Sequence, residues 1–153
     1  MTQKITPFLW FDGHAEEAMQ FYVSTFKHSS IDRISRVGDG GPVFGAFTIE
    51  GQSFYALDGG PYYKLTPAFS IFVDCATQDE VDELWDKLLA GGGEPSQCGW
   101  LTDRFGLSWQ IIPTVLNQYL SDPDPEKSGR VMQAMLQMVK LDIEGLRRAY
   151  EGV

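Results

Sequence analysis

The sequence predicts an α+β domain of two βαβββ modules in tandem, followed by a helical extension. Three observations carry that prediction. First, the apolar run Pro7-Phe8-Leu9-Trp10-Phe11 and the helical run Glu16–Tyr22 are echoed by Phe69–Val73 and Asp79–Trp85. Ala18 aligns with Val81, Phe21 with Leu84 and Tyr22 with Trp85, each pair 63 residues apart. Second, Gly51–Leu57 is echoed by Gly106–Ile112 at a spacing of 55. Third, each half runs strand, helix, then short strands divided by turn residues. Two half-domains of one design bury their cores against each other, and the cleft between them is where a ligand is expected. The boundaries read as half-modules 1–60 and 61–113 within a domain 1–113, then an extension 114–153.

The first strand, 4–11, is short, apolar and aromatic-rich, with Pro7 pointing to an edge or a strand start. Asp12-Gly13 turns the chain. From His14 to Phe26, Ala15, Ala18, Met19, Tyr22 and Phe26 recur at three and four residues, the spacing of one helix face. Strands follow at about 30–37, 43–50 and 52–58, with Gly38–Pro42 and Glu50-Gly51 as the turns. In the second half the strand Ala68–Val73 leads to a helix from Thr77 to Ala90. Thr77 with Glu80 forms a capping box, and Val81, Leu84, Trp85, Leu88 and Leu89 form the apolar face. Gly91-Gly92-Gly93 ends it. Short strands near 94–97, 99–103 and 108–113 complete the set.

Beyond Pro113 the chain turns helical. Val115–Leu120 is a short piece. Asp124 as cap and Pro125 at the first helical position start one last helix. Its apolar stripe is Met132, Met135, Val139, Ile143, Leu146 and Tyr150, a methionine-rich face suited to an irregular surface on its own domain or on a partner subunit.

Composition narrows the function classes. The 153 residues are 43% hydrophobic and 22% charged, as in ordinary globular proteins. A net charge of −9 leaves no basic stripe for nucleic acid or for an anionic membrane surface. No apolar run is long enough to span a bilayer and no leader pattern opens the chain, so a cytoplasmic location is expected. Cys75 and Cys98 form no CxxC pair and read as two reduced packing thiols.

Four stretches resemble a known family: PFLWFDGHAEEAMQFYVSTF (7–26), ALDGGPYYKLTPAFSIFVDC (56–75), CGWLTDRFGLSWQIIP (98–113) and the tail 122–146. Together with the tandem βαβββ repeat they resemble the PhnB-like branch of the vicinal oxygen chelate superfamily, which includes glyoxalase I, extradiol dioxygenases and bleomycin-resistance proteins. The resemblance covers nearly the whole chain. It implies curved mixed sheets around a U-shaped cleft, often completed by dimerisation, and proteins like this often carry a 3-demethylubiquinone-9 3-methyltransferase label.

Metal-using members of that superfamily place four ligands on the first and last strands of each half. The repeat maps those places onto Ile5 (or Pro7), Ala68, Tyr55 and Gln110. None is an imidazole, carboxylate or thiolate, the donors that divalent transition metals want. The expectation is therefore no metal and no cofactor. Methyl transfer fares no better: neither Gly38–Gly41 nor Gly91–Gly93 leads from a strand into a helix, so no nucleotide-binding βαβ unit is expected.

The only histidines, His14 and His28, sit at helix ends. General acid/base work would then fall to a carboxylate, Tyr55 or Cys98. Asp103 and Arg104 read as turn residues, or as an ion pair across a hairpin. Strand alternation places Ser70, Phe72 and Asp74 towards the cleft if Phe69, Ile71 and Val73 face the helix. The same alternation puts Leu9, Phe11, Ser53, Tyr55, Leu57, Ser108, Gln110 and Ile112 there. Leu9, Phe11, Tyr55, Phe72, Trp100 and Gln110 are thus the candidate ligand-binding residues, with Tyr55 and Gln110 fixing the ligand by hydrogen bonds; the same residues could instead simply fill the space. Trp85 and Trp109 are expected between helix and sheet.

The expectation is a metal-independent small-molecule-binding protein, dimeric, acting on neither nucleic acid nor membrane. The main alternative is a lyase, isomerase or dioxygenase of the same superfamily with non-standard metal ligands, and a third is a scaffold module whose last helix binds a partner.

Overall fold

The structure, a computed structural model, describes residues 3–153. The chain forms two compact units, one ending at Leu65 and one spanning Thr66–Val153. The first contains β1 (Phe8–Phe11), α1 (Ala15–Thr25), β2 (Ser30–Arg36), β3 (Val43–Ile49) and β4 (Gln52–Asp58). The second contains β5 (Ser70–Cys75), α2 (Gln78–Leu89), β6 (Glu94–Pro95), β7 (Trp100–Thr102) and β8 (Ser108–Pro113). It continues with α3 (Thr114–Leu120), α4 (Pro125–Leu136) and α5 (Ile143–Glu151). The strand orders are β1-β4-β3-β2 and β5-β8-β7-β6. In each sheet the first strand pairs in parallel with the last, and the remaining pairs are antiparallel. Each unit is therefore one βαβββ module, and the α+β class read from the repeat is the class observed.

In the first unit α1 buries Ala15, Ala18, Met19 and Tyr22, and Phe26 just beyond it is buried as well. Tyr22 stacks on Phe47, which stacks on Phe54, so alternate residues of β3 and β4 turn towards this helix. The helix start is held from outside its own sequence. His14 occupies the cap position but makes no side-chain cap bond; Asp58, at the end of β4, accepts from Ala15 N at 2.7 Å and from Val43 N at 3.1 Å. A carboxylate at a helix N-terminus satisfies an orphan amide and opposes the helix dipole.

In the second unit Thr77 accepts from Glu80 N at 3.2 Å, and Glu80 reaches back to Ala76 N at 3.2 Å. The capping box is present, its return bond displaced by one residue. Val81, Leu84, Trp85 and Leu88 are buried, and Leu89 lies half-buried at the stripe's end. Trp109 is fully buried, its indole N–H donating to Asp103 at 2.9 Å. Asp103 also accepts from Phe105 N and Leu107 N, so this buried carboxylate organises the turn before β8. It is a turn residue.

The helices superpose in sequence at 63 residues, with α1 starting at Ala15 and α2 at Gln78. The strands do not. Phe8 pairs with Tyr55 and Phe72 pairs with Gln110, which makes Phe8 and Phe72 equivalent at 64 residues. The connection Asp12-Gly13-His14 is one residue longer than Ala76-Thr77, and Gly13 takes it with φ +79°. A shift of one residue turns every strand side chain to the opposite face.

The single last helix expected from Asp124 onward is two helices. Asp124 caps α4, with Pro125 in its first turn, and Asp142 caps α5. Between them the carbonyls of Met138 and Val139 leave the helical pattern and accept the amides of Cys98 and Gly99, at 2.8 and 2.7 Å. These two long-range bonds take carbonyls that a continuous helix would use locally, which a stripe of apolar spacing cannot foretell. The tail lies on its own unit: Val131, Leu141 and Leu146 are buried with Ile112 and Leu116. Of the expected stripe only Leu146 is fully buried; Met132 and Val139 are exposed. Gln78 ties α2 to α5, accepting from Ile143 N at 2.7 Å and donating to Leu141 O at 3.1 Å.

Candidate functional site

β8 and its two neighbours set the site in the second unit. Phe72 on β5 and Trp100 on β7 both pair with Gln110 on β8, which places the three side chains in one row on one face. That face is turned away from α2, because Trp109 and Ile111 on the alternate positions are fully buried. Phe72, Trp100 and Gln110 line a pocket of about 320 Å³ together with Cys98, Ile112, Leu116, Asn117, Leu120 and Met135. The volume lies near the lower end for small-molecule sites. Three candidates from the sequence are thus brought together by register alone.

The pocket is apolar with a few polar groups. Gln110 donates through Nε2 to Ser70 Oγ at 2.9 Å, which fixes the amide and leaves its carbonyl oxygen without a hydrogen-bond partner among the described residues. Phe72 is 56% exposed, so its ring is only half covered by the protein. Asp74, one row further, is exposed and accepts from Thr114 Oγ1 at 2.8 Å. On the row the other way the Ser108 hydroxyl is buried with no hydrogen-bond partner among the described residues.

The wall beside Trp100 depends on glycine. Cys98 has φ +60°, and Gly99 follows with φ +85°. A Cβ on Gly99 would sit 3.0 Å from Ile111 O, while the Gly99 carbonyl itself accepts from Ile111 N at 2.8 Å. A side chain there would push β7 off β8. The Cys98 thiol lines the pocket, whereas Cys75 is buried in the core, and burial pushes its thiol up to about 12.

The remaining candidates stand elsewhere. Leu9 and Phe11 are 1% and 3% exposed, on the face of β1 that packs with the helix-side core; the extra residue at Gly13 reverses the parity that the 63-residue spacing implies. Both side chains belong to the core of the first unit. Tyr55 is equivalent to Gln110, but its ring packs against Phe8 and Phe44 at centroid distances of 5.7 Å each, and those two rings meet at 5.6 Å. On the equivalent face of the first unit the row is Phe8, Tyr55 and Ala46, and Phe44 from the next row packs over it. His14 and His28 are exposed and line neither this pocket nor its rim.

A larger pocket of about 700 Å³ in the first unit is bordered by Asp12, Glu16, Glu17, Arg36 and Asp58. Its charges are engaged in structure: Arg36 pairs with Glu16, His14 faces Glu17 at 3.5 Å, and Asp58 caps α1. We read it as a charged surface recess.

The donor sets do not fit a divalent metal. Ile5 is 84% exposed ahead of β1, Ala68 precedes β5, Tyr55 is packed among rings, and Gln110 is a neutral amide. Among the described residues no group of three His, Cys, Asp or Glu side chains is placed to hold an ion. Gly38–Gly41 lies in the β2–β3 turn and Gly91–Gly93 between α2 and β6. Neither leads into a helix, so neither forms a phosphate-binding strand–loop–helix.

Residues 3–112 match the family model described as 3-demethylubiquinone-9 3-methyltransferase. The chain belongs to that family. It is 39% identical to a solved PhnB protein from Bacillus cereus that carries the same methyltransferase label, with a TM-score of 0.68. The match covers 72% of this chain and 99% of that one. FosX, a fosfomycin resistance protein from Listeria monocytogenes, is 16% identical over 71% of this chain and 91% of its own, at a TM-score of 0.50. A glyoxylase/bleomycin resistance protein/dioxygenase domain from Frankia is 11% identical over 71% and 89%, also at 0.50. These two show the shared glyoxalase/bleomycin resistance fold. No curated protein matches the chain. The PhnB family model stops at residue 112, short of the tail that gives the pocket Leu116, Asn117, Leu120 and Met135. Sequence reading missed those four because it does not fix how α3 and α4 fold back from the end of β8 onto the sheet; the methionine-rich stripe, which includes Met135, is the one signal that the tail covers something.

Proposed function

We propose that this PhnB-family protein binds a small, partly apolar molecule without a metal, in the pocket on the β5–β8–β7 face of its second unit. The observation that carries the reading is the Phe72–Gln110–Trp100 row, an amide between two aromatic side chains at the floor of one cavity. Apolar walls supply affinity by area removed from water, and a few fixed polar groups supply orientation. The absence of a converging imidazole, carboxylate or thiolate set among the described residues argues against Lewis-acid chemistry at this face, and a binding role fits it better than a lyase or oxygenase role. Function as a homodimer in the cytoplasm belongs to the same reading. Among the described residues no helix is long and apolar enough to cross a membrane, and the net charge of −9 disfavours nucleic acid and anionic lipid as partners.

A thermal-shift screen of neutral aromatic compounds in the presence of EDTA tests this. Binding raises Tm by mass action, and the hits should lose their effect in Trp100→Ala. Hits that require added divalent metal, or that persist unchanged in Trp100→Ala, would sink the proposal.

A further inference from the structure

We infer that the ligand is a flat, uncharged ring system that inserts between Phe72 and Trp100 and offers a hydrogen-bond donor from its edge to Gln110. The inference rests on the binding role proposed above and names the chemical class that the pocket selects.

Spacing gives the flatness. Phe72 and Trp100 lie two strand positions apart across Gln110, about 9.6 Å at the usual strand separation. One aromatic ring in contact with both faces needs about 7 Å, and two stacked rings would need about 10.5 Å. Side chains rising side by side from those two backbone positions would leave room for one ring above Gln110 and not for two. Neither aromatic residue stacks on another ring among the described residues, in contrast to Phe8, Phe44 and Tyr55 on the equivalent face of the first unit. Two aromatic faces are left for a ligand to supply their partner.

Chemistry gives the edge and the charge. With Nε2 of Gln110 held by Ser70, the amide offers its carbonyl oxygen, an acceptor, so the matching ligand group is an N–H or O–H. No Asp, Glu, Lys, Arg or His lines the pocket among the described residues. A charged ligand would lose hydration there with no counter-charge to replace it. Asn117 stands at the rim on α3, outside the segment matched by the family model, and offers a second amide to a polar substituent.

The test uses the full chain and three probes by calorimetry: 2-quinolone, its N-methyl derivative, and the saturated bicyclic lactam octahydroquinolin-2-one. We expect 2-quinolone to bind about tenfold more tightly than the saturated lactam, and N-methylation to weaken it about tenfold. Phe72→Leu, at an exposed position that tolerates change, should erase the preference for the flat ring while leaving both lactams bound. Gln110→Met should erase the preference for N–H over N-methyl. Equal binding of flat and saturated lactams, or preferences that survive both substitutions, overturns this inference alone. If neither lactam binds in the millimolar range, the binding role proposed above falls with it.

Discussion

Tyr55 and Gln110 occupy the same position in two equivalent sheets, each opposite an aromatic residue of the first strand: Phe8 for Tyr55 and Phe72 for Gln110. Tyr55 packs against Phe8 in its own row and Phe44 in the next, whereas Gln110 lies between Phe72 and Trp100 in the lining of a pocket. The two faces share a frame and differ in three ways: an amide stands in place of a ring, Trp100 in place of Ala46, and helices α3 and α4 wall the second face. Tyr55→Ala should therefore lower stability by about 1–3 kcal/mol through lost ring contacts and leave ligand affinity unchanged. Gln110→Leu should do the reverse, weakening binding with a small effect on the urea midpoint. Urea unfolding and a ligand titration on both variants check the separation.

The tail belongs to the core of its unit. Leu146 is fully buried with Leu141, Val131, Leu116 and Ile112, and Leu146→Ala should cost about 2–5 kcal/mol. Deleting 122–153 exposes Ile112 and Leu116 and should yield insoluble protein. A truncated chain that stays folded and monomeric would show that the tail is dispensable to the fold and serves association.

Acid should unfold the protein partly by loosening this tail. Lys140, and after it Gln78, hydrogen-bond Asp82 and hold its carboxyl below the usual range. The Tyr150 hydroxyl does the same for Asp122. A carboxyl with a lowered folded value contributes stability above its unfolded pKa and loses it as pH falls through the folded one. Stability should fall below about pH 4, where unfolded carboxylates take up protons. Asp82→Asn should give a shallower acid limb in urea melts taken across pH 2–6 relative to the parent chain.

How far the sequence carries can be seen strand by strand. In β5 the polar Ser70 and Asp74 alternate with Ile71 and Val73, so the face is legible; Phe72 on that face lines a pocket within the second unit rather than the cleft between halves that the repeat suggests. In β1 all four residues, Phe8 to Phe11, are apolar, and nothing but the repeat could choose the face. The repeat chose wrongly for Leu9 and Phe11 because the turn at Gly13 is one residue longer. The faces of α1 and α2 follow from their three-and-four spacing, whereas the stripe read for the tail does not hold, Met132 and Val139 being exposed. The break at Met138–Val139 is not legible either, since its cause is a pair of amides forty residues away. Asp58 as the cap of α1 is tertiary in the same way: no local pattern links it to Ala15.

The two thiols should report the core and the pocket separately. Cys75 is fully buried, and burial raises it to about 12, so it stays protonated and unreactive in the native protein. Cys98 is half-buried in the pocket wall. Ellman's reagent should titrate one thiol in the folded chain and two in denaturant, and a pocket ligand should slow the first. On the alkaline side the raised Cys75 value contributes stability below the unfolded thiol pKa, near 9, and that contribution is lost as pH climbs towards the folded one.

The central claim is that one pocket of the second unit recognises a small molecule with no metal. An amide ¹H–¹⁵N NMR titration of EDTA-treated full-length protein with 2-quinolone tests it most directly. The expected result is saturable shifts at Cys98, the Trp100 indole, the Gln110 side-chain amide and Asn117, with β2 and β3 unmoved. Shifts confined to the first unit, or none until a divalent metal is added, would contradict it.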